Sequence, residues 1–192
     1  MCIRDRLAEY GIKISKEEQL GFIGVTTGYK WNIIKKKYKL SDSLEELIRK
    51  DRELYLANLK ENKDIKPIKC VDELIKFLYE KNLKLAVASS SPKNVIENVI
   101  ERFKLEKYFS KFVTGDDVKN SKPSPDIFLK AAKLLKVEPK RCMVIEDSKN
   151  GVEASKNAGM YCVAFKNLNS GNQELTRADF ISDSFNYILK EF

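Results

Sequence analysis

In the first third of the chain, apolar residues recur at helical spacing. Leu44, Leu47, Ile48, Leu54 and Tyr55 form one stripe behind Ser43, a residue type suited to capping a helix start. Ser15 and Glu18 have the spacing of a capping box. Gly24-Val25-Thr26-Thr27-Gly28 then interrupts the pattern, which resumes from Tyr29 to Tyr38. No convincing strand precedes Lys66, so residues 7–66 predict a small helical bundle.

After Pro67 short apolar runs alternate with amphipathic stretches. Leu85 to Ala88, Phe112-Val113, Cys142 to Ile145, Tyr161 to Phe165 and Phe180-Ile181 predict strands. Between them, Val71 to Tyr79, Val95 to Phe103, Ile127 to Leu135 and Val152 to Ala158 predict helices, the last stopping at Gly159. Continuous apolar strands between helices indicate an α/β unit, a doubly wound parallel sheet over residues 67–192. Ligands bind such sheets beyond the carboxyl ends of the strands, which directs attention to Ser89-Ser90, Asp116 to Lys122, and Glu146-Asp147-Ser148.

Composition removes several chemistries. The 192 residues include no histidine, which excludes a Ser-His-Asp triad and the usual zinc ligand sets. Carboxylates, hydroxyls, lysines and backbone amides remain, and hard oxygen ligands favour magnesium. Cys2, Cys70, Cys142 and Cys162 form no CxxC pair, which argues against a disulfide framework and suits a reducing cytoplasm. No apolar run approaches the ~20 residues of a membrane span. The net charge of +8 permits nucleic-acid binding, but the lysines are interleaved with acids. The one compact run, Lys35-Lys36-Lys37, reads as a solvated helix face, so neither a membrane nor nucleic acid is expected as partner.

Three loops could carry chemistry. Ser89, after a buried strand and before a helix, can offer its hydroxyl to a phosphate beside the next N–H groups, although alone it reads as a turn or cap serine. Lys122 lies in Ser121-Lys122-Pro123-Ser124-Pro125-Asp126, where two prolines stiffen its approach; its ammonium could neutralise phosphoryl oxygens. Glu146 and Asp147 leave a buried strand together and repel each other there unless a cation compensates. A polar loop capping the next helix through Asp147 or Ser148 is the plainer alternative.

In this order and spacing the three segments resemble the haloacid dehalogenase-like hydrolases, in particular their sugar-phosphate phosphatases and β-phosphoglucomutase-like branch. Val87-Ala88-Ser89-Ser90-Ser91 resembles the second family motif, which implies that Ser89 and Ser90 bind phosphate. Lys122 resembles the third-motif lysine, and Glu146-Asp147 the magnesium-binding fourth motif. The helical residues 7–66 then resemble a four-helix cap over a Rossmann-like core. The resemblance implies magnesium-dependent hydrolysis of a phosphate monoester, a small phosphorylated metabolite such as a sugar phosphate, through an aspartyl-phosphate, by a monomer. A phosphomutase is the alternative, made less favourable by Thr27 standing where the mutase carries an arginine; a non-catalytic binding protein is another.

One feature of the family is missing from the sequence. Its first strand ends in Asp-x-Asp-Gly-Thr, whose aspartates serve as nucleophile and as acid–base. The 192 residues contain no Asp-x-Asp, and Asp5 follows no hydrophobic strand. The resemblance therefore implies an N-terminal truncation, loss of the central core strand, and a chain that is inactive and poorly folded as written.

Overall fold

The computed structural model describes residues 3–190, so Cys2 lies outside it. Four helices open the chain: α1 (Ile3–Ala8), α2 (Lys16–Gly21), α3 (Thr27–Tyr38) and α4 (Leu44–Glu61). Ser15, Thr26 and Ser43 cap α2, α3 and α4, each hydroxyl accepting the N–H three residues on. Leu7, Trp31 and Ile34 are fully buried and Leu47 nearly so, with Ile3 and Ile14 completing the cluster. The first helix begins at Ile3, before the expected start at Leu7, because both residues one turn apart reach this core.

The remainder alternates helices and strands: α5 (Val71–Glu80), β1 (Ala86–Ser89), α6 (Lys93–Arg102), β2 (Lys111–Thr114), α7 (Asp126–Leu135), β3 (Met143–Glu146), α8 (Lys149–Asn157), β4 (Tyr161–Phe165), β5 (Phe180–Ser182) and α9 (Phe185–Lys190). All strand pairs are parallel. Alternate residues supply opposite layers, as the two-residue strand period requires. Val144 packs with α7 and α8, whereas Met143 and Ile145 pack with α5 and α9. Cys162 and Ala164 meet Val152 of α8; Val163 and Phe165 turn to the other layer, where Phe165 stacks on Phe185 at 4.3 Å. Helices on both faces make this the expected doubly wound α/β fold.

The strands do not form one ladder. β1 pairs with β2, and β3, β4 and β5 form a second sheet in that order. Among the described residues β1 and β3 have no strand on their remaining edges. The layer beneath is continuous: α7 packs on β1 and β2, α8 packs on β3 and β4, and the two helices touch. Ala86 and Ala88 of β1 accordingly share one apolar cluster with Val144 of β3. A slot flanked by two open edges therefore separates β1 from β3.

Two strand ends differ from expectation in a way that matters for the site. Ser89 and Glu146 are the last ladder residues of β1 and β3, opposite Thr114 and Ala164, instead of loop residues beyond them. Apolar runs mark the buried part of a strand and cannot register a polar residue whose backbone still pairs. Similarly, α8 starts three residues before Val152 because its first turn is polar and is capped by Ser148.

Candidate active site

The site is built where β1 and β3 end. Lys122 is 5% exposed although charged. Its Nζ donates to Glu146 Oε1 and lies 3.4 Å from the Ala88 carbonyl oxygen, so one ammonium links the two sheets. Phe128 of α7 supports it, with Nζ 4.7 Å from the ring centroid. The lysine arrives on the segment before α7, whose Lys122–Pro123 peptide is cis and whose Pro125 stands directly before the helix.

Glu146 is held on both oxygens. Oε2 accepts from the Asp147 N–H at 3.0 Å, the Ser148 N–H at 3.2 Å and the Ser148 hydroxyl at 3.0 Å. Burial pushes its carboxyl up, but the Lys122 charge and the hydrogen bonds from Lys122 and Ser148 outweigh it and hold the group below the usual carboxylate range. Gly151 makes this fit possible: a Cβ there would overlap the Glu146 carboxylate. Ser148 is 1% exposed and also accepts the Gly151 N–H at 3.0 Å, so it is both the α8 cap and a Glu146 partner.

Asp147 is treated differently. Its Oδ2 accepts from Asn167 Nδ2 at 2.7 Å and from the Ser170 hydroxyl at 2.8 Å, while Oδ1 has no protein hydrogen-bond partner among the described residues. Ser89 Oγ accepts the Ser91 N–H at 3.1 Å, leaving the hydroxyl proton available. The N-terminus of α6 follows directly, and its partial positive charge favours an anion at this strand end. Ser90 is committed elsewhere, its hydroxyl donating to the Gly24 carbonyl at 2.8 Å. In the Asp116 to Lys122 loop, Asp116 accepts from Arg52 at 2.7 Å and Asp117 accepts from the Thr114 N–H and hydroxyl at 2.8 Å.

The segment between α2 and α3 sits over these strand ends. The Thr26 N–H donates to Ser121 Oγ at 3.0 Å, and Asn150 Nδ2 donates to the Ile23 carbonyl at 2.9 Å. Gly24 has φ of +82°, and a Cβ on it would lie 2.5 Å from Ser148 Oγ. The structure thus brings Ser89, Ser90, Lys122, Glu146 and Asp147 into one neighbourhood. Ser121, Asn150, Asn167 and Ser170 join them without having been singled out from the sequence. Ser121, Asn167 and Ser170 are ordinary polar residues between the main elements and Asn150 lies in the first turn of α8, and their partners lie 20 or more residues away in the chain.

Among the described residues no group of three or more His, Cys, Asp or Glu side chains could by itself enclose a metal ion. The donor chemistry nonetheless fits magnesium in part. Asp147 offers an uncommitted carboxylate oxygen, and the second carboxylate, Glu146, stands beside it.

The sequence pattern of the haloacid dehalogenase-like hydrolases matches residues 1–165. The chain is 36% identical over 160 residues to a phosphorylated carbohydrates phosphatase of Thermotoga maritima, covering 81% of this chain and 71% of that protein. Over 183 residues it is 34% identical to a bifunctional riboflavin kinase/FMN phosphatase of Arabidopsis thaliana, covering 95% of this chain and 48% of that protein. Its fold is similar to that of CbbY from Rhodobacter sphaeroides crystallised with phosphate, with a TM-score of 0.83, 26% identity, and coverage of 95% and 84%. It is similar too to β-phosphoglucomutase from Clostridium difficile, with a TM-score of 0.81, 26% identity, and coverage of 98% and 86%. The chain belongs to the haloacid dehalogenase-like hydrolases. The relatives named as phosphatases act on small phosphorylated molecules. No helix among the described residues is long and apolar enough to cross a membrane.

Proposed function

We propose that the chain forms the helical cap and most of the core of a magnesium-dependent phosphatase for phosphate monoesters, with a phosphorylated carbohydrate as substrate. The observation that carries this reading is the buried Lys122 ammonium, which joins Glu146 of β3 to the Ala88 carbonyl of β1 beside Asp147 and Ser89.

A phosphoryl group at these strand ends would meet the Ser89 hydroxyl, the α6 N-terminus and the Lys122 ammonium, which together oppose its negative charge. Glu146 fixes where the ammonium stands; without that ion pair the flexible lysine stem would not present its charge at one point. Asp147 would hold the magnesium ion, with Glu146 beside it, and the ion would neutralise charge on the phosphoryl oxygens. Residues 7–66 act as the cap, their Ile23 to Thr26 segment closing the strand ends against water.

The carboxylate nucleophile is not supplied by these 192 residues, since no aspartate pair has the required spacing. The slot between β1 and β3 is where a strand carrying it would stand, because both facing edges are open there. The test is a protein with a strand ending in Asp-x-Asp-Gly-Thr joined ahead of residue 7, assayed with magnesium against a panel of sugar phosphates. The reading expects magnesium-dependent phosphate release by that protein and none by the 192-residue chain. Failure of the extended protein to release phosphate from any ester, while folded, would refute it.

A further inference from the structure

The two carboxylates at the end of β3 are held by opposite kinds of partner. Glu146 faces a buried cation. Among the described residues Asp147 faces only neutral donors, the Asn167 amide and the Ser170 hydroxyl, both on Oδ2. Two donors at 2.7 and 2.8 Å on one oxygen fix the rotation of the carboxylate without cancelling its charge, and they turn Oδ1 away from the donors.

The donors are themselves oriented. Asn167 Oδ1 accepts the Asn169 N–H at 3.0 Å, which settles which end of the amide faces Asp147. The Ser170 N–H donates to the Asn167 carbonyl at 3.0 Å, closing the 3-10 turn Leu168–Ser170 that brings both side chains to one point. Gln173 ties this loop to the site: its Nε2 donates to the Ser170 carbonyl at 2.9 Å, and its Oε1 accepts the Lys149 N–H at 3.1 Å. Ser170 is 7% exposed in a loop that is otherwise mostly open to solvent.

We infer that Asn167 and Ser170 are positioning residues that aim the free Asp147 oxygen at a divalent cation. The inference rests on the reading of Asp147 as a metal ligand given above. Neutral donors suit that task, because a lysine in their place would compete with the cation for the carboxylate. Outer partners of a ligand commonly matter about 10- to 100-fold in metal affinity.

The test uses the purified strand-extended protein described above and Mn2+ alone, a spin-active substitute for a hard-oxygen magnesium site, with binding read from loss of the free-ion EPR signal. Asp147→Asn should abolish binding. Asn167→Ala and Ser170→Ala should each raise the Mn2+ Kd about tenfold or more, and Ser170→Thr, which keeps the hydroxyl, should bind nearly as wild type. Far-UV circular dichroism identifies folded variants, and if Ser170→Ala unfolds, the half-buried loop residue Asn167 carries the test. If both alanine variants bind like wild type while Asp147→Asn does not, the positioning role is wrong and the metal reading survives. If Asp147→Asn also binds like wild type, or the unsubstituted extended protein binds no Mn2+ while folded, the metal reading fails and the positioning role falls with it.

Discussion

Replacing Lys122 by methionine separates the two effects that set the state of Glu146. The lysine and glutamate side chains are only 4% and 12% exposed, so removing the cation leaves a carboxylate with little access to water. Breaking one partner of such a pair costs ~3–5 kcal/mol. The lower end applies here, because the Asp147 N–H and the Ser148 N–H and hydroxyl remain on Oε2. For a chain of this size ~3 kcal/mol is a fall in Tm of roughly 6–12 °C. Burial alone drives the Glu146 carboxyl up, and Lys122 is the main reason it lies low, so its removal reverses the sign of the shift unless the hydrogen bonds suffice. In the wild type a depressed carboxyl stabilises the fold fully above the unfolded value of about 4.3 and loses that contribution as pH falls through the folded value. The gap between wild type and Lys122→Met should therefore be full at pH 7 and narrow in acid. Urea unfolding at pH 7 and at pH 4, followed by circular dichroism, measures it. Adding Glu146→Gln to Lys122→Met should recover part of the loss at pH 7 by removing the buried charge. A penalty below about 1 kcal/mol, where an exposed pair would fall, or one equal at both pH values, would refute the argument.

Gly151→Ala should displace the Glu146 carboxylate, because the added carbon would occupy its place; a loss of about 1–3 kcal/mol in urea unfolding is expected. Gly24→Ala combines a strained positive φ with a 2.5 Å approach to Ser148, and hydrogen exchange at the Thr26 N–H should quicken as the segment lifts from Ser121. Asp179 is held low first by its hydrogen bond from Lys156 and then by the Cys162 N–H, opposed by burial. Its contribution is present above an unfolded value of about 3.9 and lost as pH falls through the folded one, so Asp179→Asn should destabilise at pH 7 and much less at pH 3, as thermal unfolding will show.

The repeating elements were legible because each buries one apolar stripe or run. Leu47 in α4, Leu74 and Leu78 in α5, and Val144 in β3 lie in the core as their spacing implies. The last residue of a strand was not, since Ser89 and Glu146 pair through the backbone while their side chains are polar. Helix α9 was missed because its six residues carry only two buried positions, Phe185 and Ile188, too few for a periodic signal. Within the site, Lys122, Glu146 and Asp147 were visible as charges beside buried runs. Their division of labour was not, because it depends on Asn167 and Ser170, 20 and 23 residues beyond Asp147, and on which carboxylate Lys122 chooses.

That choice follows from where the two side chains point. Glu146 closes the ladder of β3, and its side chain turns to the layer of α7 and α8, where it abuts Gly151 and where burial makes a cation necessary. Asp147 lies one residue beyond the ladder, and its side chain meets the loop after β4. A single step along the chain thus gives one carboxylate a lysine and the other a pair of neutral donors. Adjacent acids that would repel each other in a shared environment are separated into a buried ion pair and a carboxylate held by neutral donors on one oxygen. The same division explains why Gly151 and Ser148 crowd Glu146 while no described residue hydrogen-bonds Asp147 Oδ1. The protein packs the carboxylate that must stay in place and, on the proposed reading, leaves room at the one that would bind the metal.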